Sequence, residues 1–564
     1  MKVSRWSAVF AGVVLLPALM SSMLAQQTAN DVVDLVIQGG QIVDGTGNPW
    51  FRGDVVIDDG RIVGVGRVGE VRAARTIDAS GLVVSPGFID LHTHSDGALL
   101  ADGTAQSKIR QGVTLDVLGE SRSVAPRDGL DPNSGRGGPA DWTTFSDYFE
   151  RIERQGISMN TLSHVSATQV RLVVMGYDSR PANTDERQRM RELVARSMRE
   201  GAWGLVTRFE SGGPAHPNEI IEMAKVAAIY GGNYASHIGS EGYEQDKEID
   251  FAIRVAEEAQ IPVHLFHFKI RSRKNWGTIG QHIEQIQQAR DRGLDITANQ
   301  YPYTAMFHNW SSFFPIWTRD GGPERFNERL NDPAMHEKIK TDPDFIAWAE
   351  EHGWWEGIVM ARAGTPENQR YEGMSLAEIA KMRGDADPAD TSIQLMAEEG
   401  GNISGVFHTM SEEDVQEIMR QPWVAIASDG SAINLEAPGL PHPRNYATAA
   451  RVLGHYVREE GVLTLEDAVR KMSALPAQIL GLRDRGQIRE GFAADVVVFN
   501  PDKVTPTNSF ENPKSYSTGV SYVLVNGVLV IDDGEHTGAR PGKVIRGPAA
   551  ASTSTSESSA PGGN

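Results

Sequence analysis

The sequence predicts an α/β protein: a (β/α)8 barrel with a small β-sandwich domain formed from both chain ends and an insertion over the barrel mouth. Three observations predict it. Strand-like and helix-like runs alternate through the middle of the chain. Short apolar runs around Asp-Gly and Asn-Gly turns occur at both ends. An apolar run closes on His92-Thr93-His94 where the alternating part begins.

Taken in order, the chain opens with Lys2 and Arg5, a mostly apolar run from Val9 to Met20, and small residues up to Ala25. This is the pattern of a signal peptide over 1–25, and it predicts a secreted or periplasmic protein without stable membrane association. The first β part spans 28–84. Leu35-Val36-Ile37 and Gln41-Ile42-Val43-Asp44 read as strands around a Gly39-Gly40 turn, and Asp54–Ile57 and Arg61–Val63 as a hairpin around Asp59-Gly60. The barrel spans 85–481. Its helices are expected over 187–200, 219–229, 250–259 and 279–292, with strands at 203–206, 233–236, 262–265 and 295–298 between them. About 310–400 is rich in Trp and Glu, breaks the alternation, and is read as the insertion or lid. The second β part spans 482–546, with a strand at 494–499 and a hairpin around Asn526-Gly527. The Ser-, Thr-, Ala- and Gly-rich tail, 547–564, is expected to be disordered.

Bulk properties narrow the function. The 564 residues carry a formal net charge of −20, which argues against nucleic acid and anionic membrane surfaces as partners. There is no cysteine, so disulfides and a zinc–thiolate site are excluded. A metal must be held by His, Asp, Glu or a modified Lys.

Side chains two apart on a strand point the same way, so His92 and His94 can reach one ion at the strand's C-terminal end, the active face of a barrel. Further along stand Gly119-Glu120-Ser121, Ser236-His237-Ile238, His264-Leu265-Phe266-His267-Phe268-Lys269, Tyr301-Pro302-Tyr303-Thr304-Ala305, Ser428-Asp429-Gly430 and Leu440-Pro441-His442-Pro443-Arg444-Asn445. On a strand starting near Pro262, His264 and His267 fall on opposite faces, so one of them, His267, is expected at the ion while His264 packs.

In their order and spacing these motifs resemble the amidohydrolase superfamily, and within it the D-aminoacylase (N-acyl-D-amino-acid deacylase) family, from about Asp34 to Arg546. The resemblance implies metal ligands at His92, His94, Glu120, His237, His267 and Asp429. Glu120 stands where better-known members carry a cysteine. It implies that Asp429 is the catalytic acid–base group, and that Lys269, Tyr301 and Arg444 bind the substrate's carboxylate. Such a site still needs a base for the attacking water, which an aspartate can supply. Arg can hold a carboxylate through two hydrogen bonds. The implied cofactor is Zn2+, one or two ions, with other divalent metals as alternatives. The implied substrate is a small N-acyl-D-amino acid, cleaved at its amide to a carboxylate and a D-amino acid. The alternatives are a cyclic amidase or D-dipeptidase of the same superfamily, and a secreted non-catalytic binding protein with a degenerate site. Met306-Phe307 departs from the Gly-Ser common in relatives. His164 is read as structural or as a support behind the metal ligands, and His408 and His455 as packing or surface residues.

Overall fold

The computed structural model describes residues 32–134, 139–178, 180–208, 216–242, 244–352 and 354–550. The expected leader lies outside them. So does the tail beyond residue 550, but Gly547 to Ala550 are ordered. The Gly547 amide donates to the carbonyl of Gly201 and Ala549 is buried, so the first four residues of the segment expected to be disordered pack against the barrel.

The middle of the chain forms a ring of parallel strands: β1 (Phe88–Asp90), β2 (Val113–Leu118), β3 (Asn160–Ser163, resuming at Val165–Ser166), β4 (Gly204–Arg208), β5 (Asn233–His237), β6 (Val263–Leu265), β7 (Ile296–Gln300) and β8 (Val424–Ile426). Neighbours pair in parallel from β1 to β3 and from β3 to β8. The ring closes just past the strand ends, where the His94 amide donates to Gly430 and the Asp429 amide to His92, 2.8 and 2.9 Å. Ring and helices share one apolar core that includes Leu205, Tyr234, Val263, Ile296 and Val424.

The helices between strands start where local chemistry dictates. Thr184–Arg199 opens with a capping box in which Asn183 and Glu186 satisfy each other's backbone amides, and Pro217–Ile229 opens on a proline whose missing N–H costs nothing at that position. Caps of this kind move both starts a few residues before the apolar periodicity begins.

Between β7 and β8 the chain leaves the barrel. Ala305–Asn309, Ile358–Arg362 and Ser404–His408 pair antiparallel into a three-stranded sheet, and helices such as Phe326's Pro323–Leu330 and Trp348's Pro343–Glu351 pack against it. Trp310, Phe314, Phe326, Phe345, Trp348 and Phe407 give this insertion a core of its own.

The two chain ends share one hydrogen-bonded sheet of nine strands. Its seam joins Val83–Pro86 to Val496–Phe499, antiparallel, with Val84 opposite Val498. The Asp59-Gly60 and Asn526-Gly527 turns have positive φ at both residues, the geometry a two-residue hairpin needs. Gly39-Gly40, expected as a turn, instead lies inside one strand, Val33–Ile42, where the pairing slips by a bulge. Gly39 takes φ 69°, and a Cβ on Gly40 would stand 2.5 Å from Val84, so these glycines permit a close strand crossing. Among the described residues no helix is long and apolar enough to cross a membrane.

Candidate active site

The predicted ligands come from the C-terminal ends of five barrel strands. His92 and His94 follow β1, Glu120 follows β2, His237 ends β5, His267 follows β6 and Asp429 follows β8. They meet at the floor of a cavity of about 660 Å³ roofed partly by the insertion.

Two overlapping groups of ligand atoms form there, His92 with His267 and Asp429, and His92 with His94 and Glu120, each within 4.8 Å of one another. His94 stands between two carboxylates, its Nδ1 3.0 Å from Glu120 Oε2 and its Nε2 2.9 Å from Asp429 Oδ1. His92 Nε2 lies 3.4 Å from the same Asp429 oxygen, and its ring stacks on Phe266 with centroids 4.1 Å apart. His237 is outside both groups but its ring packs edge-on to His267, centroids 4.3 Å apart. Its Nδ1 donates to the Ile238 carbonyl, which leaves Nε2 as the ligand nitrogen.

Strained backbone delivers these groups. Ser121, His267 and Asp429 take φ of 65°, 34° and 50°, a region that costs a non-glycine residue about 1–3 kcal/mol. Gly119 takes φ 102°, and a Cβ there would lie 2.3 Å from the His164 carbonyl, so only glycine can present Glu120 at this place. His267 therefore sits past the end of β6 rather than on it, and strand alternation does not govern its direction. His264 is on the strand, buried, with its nitrogens 2.9 Å from Thr297 Oγ1 and 2.8 Å from Asn299 Nδ2. His164, also buried, is hydrogen-bonded to Asn233 Oδ1.

The charge states of Asp429, Glu120, His92 and His237 suit a cation, while at His94 burial is outweighed by Glu120 and Asp429, which raise it above the ordinary imidazole value. Burial would raise the Asp429 carboxyl, but Arg444 and the adjacent histidines outweigh it and hold it well below its ordinary value. Burial is likewise overcome at Glu120, chiefly by His94. Burial, with the neighbouring histidines, drives His92 and His237 well below the ordinary imidazole value, so both are neutral. Both ring nitrogens of His92 are buried without a hydrogen-bond partner among the described residues. A buried polar atom left so is costly, and a metal ion is the partner this donor set fits. Imidazole nitrogens and carboxylate oxygens are suitable for Zn2+ and for other borderline divalent ions.

The predicted substrate residues are placed unequally. Arg444 lines the cavity and donates from Nη1 to Asp429 Oδ2 at 2.7 Å. Its own amide donates to His442 Nδ1, and His442 Nε2 donates to the Ala305 carbonyl, so the insertion holds it in place. Tyr301 is buried beneath, with the Arg444 guanidinium 5.0 Å and the Lys269 ammonium 5.4 Å from its ring centroid. Lys269 is buried against Glu241 and lies 2.7 Å from His267 Nδ1. Glu241 is thus a residue sequence reasoning passed over: it anchors both Lys269 and His267, whose Nδ1 is 2.6 Å from its carboxylate. Arg208 and His308 also line the cavity and carried no expectation.

Residues 75–531 match the amidohydrolase family. A D-aminoacylase of Alcaligenes xylosoxydans xylosoxydans is 31% identical over 527 residues, 92% of this chain and 99% of that one. An N-acyl-D-glutamate deacylase of the same organism is 33% identical over 522 residues, 91% of this chain and 96% of its own. Among solved structures, an N-acyl-D-glutamate deacylase from Bordetella bronchiseptica, complexed with zinc and a phosphonate mimic of the tetrahedral intermediate, superposes with a TM-score of 0.77 at 29% identity, covering 92% of this chain and all (100%) of that one. With barrel, ligand order and full-length similarity in agreement, the chain belongs to the amidohydrolase family and, within it, to the D-aminoacylase family.

Proposed function

We propose that this protein is a zinc-dependent hydrolase of the amide bond of N-acyl-D-amino acids, releasing a carboxylate and a D-amino acid. The observation that carries this reading is the convergence of His92, His94, Glu120, His267 and Asp429 from separate strand ends on one point, with Arg444 bonded to that same aspartate. The nature of the relatives that match more than nine-tenths of the chain supports the substrate class.

His92, His94, Glu120, His237, His267 and Asp429 would hold one or two Zn2+ ions, which polarise a carbonyl and make water more acidic. Asp429, ionised and in contact with the ligand histidines, takes the proton of the attacking water as its oxygen bonds to the acyl carbon. It then returns that proton to the amide nitrogen as the C–N bond breaks. Arg444, with Tyr301 and Lys269 packed behind it, forms the corner that receives the α-carboxylate and sets the register of the amide against Asp429. Glu241 neutralises Lys269 and fixes the His267 ring.

The purified protein supplied with Zn2+ is expected to release amine from N-acetyl-D-amino acids and not from the L-enantiomers, with Asp429→Asn lowering kcat at least a thousandfold. Turnover that survives Asp429→Asn would remove the aspartate from this role. We also propose that residues 1–25 act as an export signal, supported by the basic start, apolar run and small residues before the cut. N-terminal sequencing of protein from the periplasm or medium is expected to begin after Ala25.

A further inference from the structure

A line of contacts crosses the floor of the cavity with a guanidinium at each end. Arg444 Nη1 donates to Asp429 Oδ2 at 2.7 Å, and the other oxygen of Asp429 meets His94 Nε2 at 2.9 Å. His94 Nδ1 meets Glu120 Oε2 at 3.0 Å. Ser121 Oγ donates to that glutamate oxygen at 2.5 Å and accepts from Arg208 Nη1 at 2.9 Å. The other terminal nitrogen of Arg208 is 3.1 Å from His308 Nδ1. The ligand cluster therefore lies between Arg444 and Arg208, and both arginines line the cavity.

Arg208 is the last residue of β4, and His308 comes from the first strand of the insertion, so the pair joins the barrel rim to its cover. A guanidinium can only donate, so His308 Nδ1 is the acceptor and the ring proton sits on Nε2. Burial, helped by the Arg208 charge, keeps this ring well below the ordinary imidazole value and hence neutral. Arg208 is half-buried, which makes it a stronger partner for an anion than an arginine in open water.

This geometry extends the hydrolase reading above and rests on it. With the scissile amide over the cluster and the α-carboxylate at Arg444, the amine half of the substrate occupies the Asp429 side. The acyl half then runs toward the Glu120 side, where Arg208 and His308 stand. We infer that Arg208 and His308 form a subsite for a carboxylate at the far end of the acyl group, so that the preferred substrates are N-acyl-D-amino acids of dicarboxylic acids, succinyl or glutaryl in type, rather than simple N-acetyl compounds. Water adds to the acyl carbon, the C–N bond breaks, and the products are a dicarboxylate and the free D-amino acid.

Three substrates test this on the zinc-loaded enzyme: N-succinyl-D-leucine, N-acetyl-D-leucine and N-acetyl-D-glutamate. The succinyl compound is expected to have a kcat/KM at least tenfold above the acetyl one. Arg208→Met should erase that advantage, bringing the ratio of the two kcat/KM values to within threefold of one, and Arg208→Lys should retain part of it. Equal turnover of N-succinyl- and N-acetyl-D-leucine overturns the subsite and leaves the hydrolase reading intact. A preference for N-acetyl-D-glutamate that depends on Arg208 overturns the assignment to the acyl half, because the anion would then be on the amino-acid side chain. Should no N-acyl-D-amino acid be cleaved, the hydrolase reading fails, and calorimetry on chelator-treated protein decides the anion site alone. There succinate is expected to bind at least tenfold more tightly than acetate, and Arg208→Met to lose that difference. Equal binding of the two, or a difference that Arg208→Met leaves intact, overturns it. Circular dichroism of each variant separates loss of the subsite from loss of fold.

Discussion

Lys108→Met is expected to destabilise the protein by about 3–5 kcal/mol, the usual cost of removing one partner of a buried ion pair. The ammonium is fully buried, 2.7 Å from Asp90 Oδ2, 2.6 Å from Ser428 Oγ and 3.9 Å from Asp116 Oδ1. Asp90 also accepts from the Ser428 amide at 2.9 Å. Asp90 precedes His92 by two residues and Ser428 precedes Asp429, so this knot ties the ligand-bearing ends of β1 and β8. Methionine keeps most of the volume and removes the charge. Burial pushes the Asp116 carboxyl up to about 7, with Lys108 opposing the rise and Asp90 adding to it. A carboxyl raised in the folded state binds more protons there than in the unfolded chain, so stability falls as pH rises from the unfolded value toward the folded one. In the wild type that fall ends near pH 7. Without Lys108 the carboxyl rises further and the fall continues, at about 1.4 kcal/mol per pH unit. The loss at pH 8.5 should therefore exceed the loss at pH 6 by up to about 2 kcal/mol. Denaturant unfolding followed by tryptophan fluorescence at both pH values measures it. A loss below about 1 kcal/mol, or an equal loss at the two pH values, would refute the reasoning.

Three further outcomes are expected. Gly119→Ala forces a methyl against the His164 carbonyl, displaces Glu120, and should lower both bound zinc by elemental analysis and kcat by more than a hundredfold. His164 is held neutral by burial, its pKa lowered to about 4, so the unfolded chain binds the extra proton between that value and the ordinary one. Stability should fall as pH drops through this window, by up to about 3 kcal/mol from this residue, and His164→Gln should flatten that part of the pH–stability curve. Removing metal with a chelator should lower the thermal midpoint, and added Zn2+ should restore it, because an ion bound only by the folded chain stabilises it by mass action.

The ligands were legible in the sequence where a local pattern carried them. His92-x-His94 at the end of an apolar run is recognisable from the local pattern alone, whereas Asp429 is implied only by the family resemblance, and its φ of 50° lies outside strand geometry. The helices were legible in their centres and not at their starts, since the Asn183–Glu186 box and Pro217 act before any apolar period begins. Other features depend on contacts far apart in the chain. Arg208 ends a strand like any solvated arginine, and its partner His308 is 100 residues away in the insertion. Glu241 lies in a polar loop 28 residues before Lys269, and only the folded chain shows that it neutralises that lysine. The Gly39-Gly40 bulge has the composition of a turn, and what distinguishes it is the neighbouring Val84.

The seam between Val83–Pro86 and Val496–Phe499 has a consequence for synthesis. A ribosome releases the amino-terminal strands several hundred residues before their hydrogen-bonding neighbour exists. Until then Val83–Pro86 is an open sheet edge, a place where a second nascent chain can pair. Assembly of this half-built layer must wait for nearly the entire polypeptide, which makes the sheet a late, high-contact-order event and its unpaired edge the point where a chaperone would protect the growing protein.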